Sequence, residues 1–189
     1  MMARLYALGF GAYFEHKVAQ NRAMDRAMAV IEEVGREYGE LSGRPYSHFT
    51  TTDTEDAEII LVVIGSAGGN VKTAVRELRQ QGKKVGVLQV RTFRPFPVTQ
   101  IAEALAGAKA VGVMDRSDSF GAQGGPLYTE VRSALYETSQ RPAVHNFIYG
   151  LGGRELYPKN IDEAVALLER AAAGEEIQQT RHYLNVREG

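Results

Sequence analysis

The sequence predicts an α/β fold: a three-layer, open, mostly parallel sheet with helices on both faces, preceded by one long N-terminal helix. Three observations carry this. From Ala57 onward, short apolar runs alternate four times with longer stretches whose apolar residues recur every three or four positions; strand–helix alternation of this kind builds parallel sheets. The first run, "AEIILVVIG", is continuously apolar and β-branched, which suits a strand covered on both faces. The segment before it has a single long helical period and then a polar, Thr-rich stretch, so an arm leads into the domain.

In the arm, Phe14, Val18, Met24, Ala27, Met28, Ile31, Val34, Tyr38 and Leu41 form the apolar stripe of an amphipathic helix over residues 13–41. Gly39 and then "SGRPY" are expected to end it, because glycine favours a helix cap and proline disfavours helix before it. Residues 47–56 read as a connector. Then follow helix "GGNVKTAVRELRQQGKK" with a stop at Gly82, strand "KVGVLQV", helix "VTQIAEALAGAK", strand "AVGVMD", helix "GPLYTEVRSALYE", strand "AVHNFIYG" and helix "NIDEAVALLERAAA". The tail "TRHYLNVRE" fits a short strand or an extended arm. The expected organisation is an arm and connector over 1–56, an α/β domain over 57–175 and a tail over 176–189.

Composition narrows the function. The 189 residues are 44% hydrophobic and 24% charged, with a formal net charge of −1. These are globular values, and they offer no clustered cation excess for nucleic acid. No apolar run approaches the roughly 20 residues that cross a bilayer. The start "MMARLYALGFGAYFEHK" lacks the basic-then-apolar pattern of a secretory signal, so the chain reads as cytoplasmic. There is no cysteine, which excludes disulfides, a thiol nucleophile and a thiolate-held iron–sulfur cluster in this chain.

In open α/β sheets ligands gather at the carboxyl ends of the strands. Four loops lie there, each rich in Gly, Pro or Arg. The first, "GSAGGN" with Ser66, Gly68 and Gly69, precedes a helix N-terminus, where amide N–H groups attract anions. It lacks dinucleotide-binding spacing and a P-loop lysine, so a tight turn is the stronger reading. In "RTFRPFP", Arg91 and Arg94 could clamp a carboxylate or phosphate, although pairing with an Asp or Glu of a neighbouring element is the commoner use. In "DRSDSFGAQGGP", Asp115, Arg116, Asp118 and Ser119 precede Gly121, Gly124 and Gly125. Asp118 or Ser119 is expected to hold a turn through side-chain-to-backbone bonds, the glycines permit a sharp approach to the helix, and Pro126 suits a first helical position. The fourth loop, "GLGGRELYP", carries Gly152, Gly153 and Arg154. His16, His48, His145 and His182 show no metal-ligand spacing, and His145 reads as a satisfied strand residue. No serine sits in a G-x-S-x-G elbow. No catalytic or metal-binding residue is assigned.

The succession "RTFRPFP", "MDRSDSFGAQGGPL" and "YGLGGRE", with "YFEHKVAQNRAMDRA" before it, resembles the carboxyl-terminal domain of the α subunit of pyruvate (2-oxoacid):ferredoxin oxidoreductases. The resemblance runs from about Tyr13 to the end. It implies the transketolase C-terminal domain fold and an enzyme that oxidatively decarboxylates a 2-oxoacid, by default pyruvate, to acyl-CoA and CO2, passing electrons to ferredoxin. It also implies thiamine diphosphate, Mg²⁺ and iron–sulfur clusters in the full complex. The first domain of that subunit would precede "YFEHK", and no G-D-G…N diphosphate pattern is present. The chain is therefore expected to be a separated or truncated domain that binds no cofactor alone, is inactive in isolation, and places the rim residues at a boundary with other domains or subunits in a homo- or hetero-oligomer. The competing reading is a stand-alone α/β module binding a nucleotide or coenzyme A at "GSAGGN" and "GLGGRE".

Overall fold

The computed structural model describes residues 12–187; most of the segment read as lacking a secretory signal lies outside them. The chain divides into two units, one ending at His48 and one beginning at Phe49.

In the first unit, helix α1 (Ala12–Ser42) follows the predicted stripe. It passes through Gly39 and stops at Gly43, which takes the left-handed conformation, with φ +68°, and donates its N–H to the Gly39 carbonyl at 2.9 Å. The helix thus ends in the "SGRPY" stretch, as read, with Gly39 still inside its last turn. A Cβ there would lie 2.9 Å from Pro45 Cα, so this glycine makes room for the chain as it turns back along the helix.

Among its described residues the second unit contains six strands: β1 (Phe49–Thr52), β2 (Ile59–Ile64), β3 (Val85–Val90), β4 (Ala110–Asp115), β5 (Ala143–Ile148) and β6 (Arg181–Tyr183). They lie in the order β1-β3-β2-β4-β5-β6. All neighbouring pairs are parallel except β1 with β3. Strand β1 corrects the connector reading of residues 47–56. It is a polar edge strand of "FTTT"; β-branched threonine suits the extended backbone, but with one side unpaired it needs no apolar run. The tail resolves into strand β6 on the opposite edge.

Helices α2 (Ala67–Gln80), α3 (Val98–Leu105), α4 (Pro126–Tyr136) and α5 (Pro158–Ala172) cover the sheet. Side chains alternate along each strand. Ile59, Leu61 and Val63 therefore face α2 and α5, packing on Val71, Val75, Ile161 and Leu168. Ile60 and Val62 face α3 and α4, packing on Ile101, Leu105, Leu127 and Val131. Each fully buried aliphatic side chain stabilises the fold by about 1.5–3 kcal/mol, so these two layers hold the sheet rigid beneath its rim. Strand β2 lies between β3 and β4, and the helices that follow β2 and β4 lie on opposite faces. The crevice between those strand ends is the topological switch point, where α/β sheets commonly bind ligands.

Candidate functional site at the carboxyl rim

The switch point is bordered by the loops after β2 and β4. Asp115 ends β4 and is buried. Its carboxylate accepts from the backbone N–H groups of Leu127 (2.9 Å) and Tyr128 (3.1 Å) and from Asn146 Nδ2 (2.9 Å). Asn146, fully buried in β5, also donates to the Val113 carbonyl at 3.0 Å, and its Oδ1 accepts from Gly125 N–H at 2.8 Å. The free amides of the α4 N-terminus are thus taken by two side chains of the sheet. Burial pushes the Asp115 carboxyl above its ordinary value, against the lowering effect of its three N–H donors.

This network explains the Gly-Gly pair. A Cβ on Gly125 would lie 2.4 Å from Asp115 Cγ, and one on Gly124 would lie 2.3 Å from Tyr128 Cδ1 and 2.8 Å from Asn146 Oδ1. The helix backbone can approach the carboxylate only where there is no side chain. Asp115, Gly124 and Gly125 therefore come together as a structural knot.

Asp118, expected with Ser119 as one of two residues that could hold a local turn, instead reaches across to β6. It accepts from Arg181 Nη1 at 3.2 Å and from Tyr183 Oη at 2.7 Å, tying the loop to β6. The local turn closes through the backbone, from Ala122 N–H to the Ser119 carbonyl at 3.0 Å. Gly121 takes φ +76°, and between Ser119 and Gly121 Phe120 stands 92% exposed.

The other candidates spread around the rim. Ser66 precedes α2 without a side-chain cap. Gly68 lies against the Gln89 amide, 2.4 Å from where its Cβ would be, while Gln89 Nε2 donates to the Gly65 carbonyl at 2.9 Å; the space at Gly69 is open. Arg91 is exposed just past β3. Arg94 pairs with Glu130 of α4 at 2.6 Å and covers the Phe93 ring. Arg116 Nε lies 3.5 Å from the Gly150 carbonyl. Gly152 and Gly153 take positive φ in a short 3-10 turn (Leu151–Gly153). Arg154 donates to the Asn185 carbonyl at 2.5 Å.

Sequence reasoning missed Asn146, Gln89, Arg181 and Tyr183. Asn146 leaves the clearest trace, as an amide inside an apolar strand. The histidines, read as scattered, are corrected in one pair: His145 Nδ1 and His182 Nε2 lie 3.3 Å apart on β5 and β6, and His182 stacks on Phe147. Burial, the largest cause in both, holds both imidazoles below their ordinary value of 6.5; in His145 the neighbouring His182 adds to it. Among the described residues, no three His, Asp or Glu side chains group to hold a metal ion.

A diphosphate does not fit the α4 N-terminus, because the amides that would cradle it already serve the Asp115 carboxylate. A thiolate-held cluster does not fit a chain without cysteine. A cleft of about 820 Å³ lies at the opposite, amino end of the strands, lined by Arg132, Arg141, Ala143, His145 and Thr180; none of the rim residues borders it. No helix among the described residues is long and apolar enough to cross a membrane.

The fold and rim define an open α/β domain in which the amides at the start of α4 are taken by Asp115 and Asn146. A family description, pyruvate:ferredoxin oxidoreductase core domain II, matches residues 57–161, and the chain belongs to this family. The pyruvate synthase subunit PorA of Thermotoga maritima is 44% identical over 176 residues, 93% of this chain and 44% of that protein. The ketoisovalerate oxidoreductase subunit VorA of Pyrococcus abyssi is 45% identical over 144 residues, 76% of this chain and 36% of that protein. A solved 2-oxoglutarate:ferredoxin oxidoreductase from Magnetococcus marinus, with 2-oxoglutarate, coenzyme A and succinyl-CoA bound, aligns with a TM-score of 0.48 and 21% identity over 71% of this chain and 21% of that one. The chain spans less than half the length of these relatives.

Proposed function

We propose that the chain is the scaffold and interface part of a thiamine-diphosphate-dependent 2-oxoacid:ferredoxin oxidoreductase, with pyruvate the first substrate to test. In this reading thiamine diphosphate, Mg²⁺ and the iron–sulfur clusters are held by other parts of the enzyme, and coenzyme A and ferredoxin are engaged by the assembled complex. One observation carries the reading. The backbone amides at the start of α4, which could otherwise hold an anionic ligand, are taken by Asp115 and Asn146, while the loop leading into that helix projects Phe120 outward from a position braced by Asp118. An exposed aromatic ring on a fixed loop is the kind of anchor that dominates protein interfaces. The four rim loops then shape a partner surface and perform no chemical step.

The test is reconstitution. The purified chain is mixed with the polypeptides supplying the rest of the enzyme, and assembly is followed by size-exclusion chromatography with light scattering, alongside 2-oxoacid-dependent dye reduction. Wild-type chain should assemble and support activity; Phe120→Asp should weaken assembly at least tenfold while melting as the wild type does. Dye reduction by the chain alone, or calorimetric binding of coenzyme A or a nucleotide by the chain alone, would overturn the proposal.

A further inference from the structure

The arm carries an apolar surface of its own. On α1, Val30, Val34 and Tyr38 are 53%, 56% and 46% exposed. With Ile31, Gly35 and Tyr46 they line an apolar cleft of about 580 Å³. Its shape is specified locally. The chain turns back after Gly43, and Tyr46 N–H reaches the Gly35 carbonyl at 3.4 Å. The Tyr46 ring meets Tyr38 edge-on at 5.3 Å between centroids. A Cβ on Gly35 would lie 2.3 Å from the Tyr46 carbonyl oxygen. Two glycines inside a helix are poor helix formers; here Gly35 and Gly39 let the returning segment close one wall of the cleft.

The helical neighbours of this stripe are acidic. Glu33 and Glu37 lie three residues from Val30 and Val34, and Glu32 three from Gly35, against one cation at such a spacing, Arg26, four from Val30. The surface therefore suits an apolar element bordered by Lys or Arg. What covers it is indicated by the relatives. The match to the Thermotoga maritima protein takes in 93% of this chain. The unmatched remainder is shorter than half of the 31-residue α1, so most of the helix has its counterpart there, in a protein more than half of which lies outside the match.

We propose that the α1 cleft is the docking surface for the part of the enzyme corresponding to that unmatched length, which seats an apolar, base-flanked element between Val34, Tyr38 and Tyr46. This rests on the oxidoreductase reading above and assigns it a contact separate from the rim. Val34→Asp and Tyr38→Ala are compared with Phe120→Asp in the same reconstitution, each variant first shown to melt as the wild type does. The expected result is at least tenfold weaker assembly for both α1 variants, with Glu33→Lys/Glu37→Lys also weakening it and the loss growing less at high salt. Undiminished assembly of the α1 variants, with Phe120→Asp impaired, overturns the cleft assignment and leaves the oxidoreductase reading standing. Failure of the wild-type chain to assemble with those polypeptides defeats that reading as well. Self-association of the wild type that Val34→Asp abolishes, with assembly otherwise intact, makes a second copy the occupant and overturns the proposal.

Discussion

Replacing Asn146 by Ala tests the knot beneath the rim. The variant removes an amide that makes three bonds of 2.8–3.0 Å, to Gly125 N–H, the Val113 carbonyl and the Asp115 carboxylate. Asp115 keeps its two backbone donors, so its loss is partial. The Gly125 N–H loses its side-chain acceptor in a buried setting, and a buried polar group left unsatisfied costs about 1–3 kcal/mol. Adding the weakened Asp115 and Val113 contacts, and a small cavity, gives an expected loss of about 3 kcal/mol. With a urea dependence of about 2 kcal/mol per molar, the unfolding midpoint should fall by roughly 1.5 M. Hydrogen exchange should quicken at Gly125, Leu127 and Tyr128 before it does in the strands. The double variant Asp115→Ala/Asn146→Ala should lose less than the sum of the single losses, since the two side chains share one network. A loss below about 0.5 kcal/mol, or strict additivity, would refute the view that this pair fixes the start of α4.

Three further outcomes follow from the same geometry. Gly125→Ala should destabilise by about 1–3 kcal/mol, because its Cβ meets the buried Asp115, whereas Gly121→Ala, facing open space at φ +76°, should lose only about 1 kcal/mol; equal melting shifts would contradict this. His145 and His182 have folded pKa values depressed below 6.5, so the unfolded chain binds protons more readily; their contribution is present above pH 6.5 and lost as pH falls through the depressed values. Denaturation midpoints at pH 7.5 and pH 5 should show this loss, and His182→Gln should reduce it; an unchanged pH dependence in the variant would count against the pair. Asp118→Ala should speed proteolysis within residues 116–125 while leaving the sheet protected, and equal cleavage rates would show that the β6 brace does not restrain the loop.

What could be read from sequence followed from local signals. Runs such as "IILVVI" declare a strand buried on both faces, and Gly-Gly-Pro marks the start of α4. Strand β1 escaped notice because an edge strand has one unpaired side and needs little apolar character. In the site, Asp115 and the glycines were legible as unusual residues, but their reason was not. Their partner Asn146 is 31 residues from Asp115. Asp118 is tied to residues 63 and 65 positions away, and His145 meets His182 across 37. Side-chain pairs at such separations leave no period in the chain; only the order of strands in the sheet brings them together.

The brace on Asp118 also sets an order of events. Arg181 and Tyr183 belong to β6, which a ribosome produces after every other element of the sheet. A nascent chain can collapse its two apolar layers early, yet the Phe120 loop stays untethered until this strand has emerged and zipped onto β5. The restraint on Phe120 would then arrive only once β6 has paired with β5, after both apolar layers have had time to form.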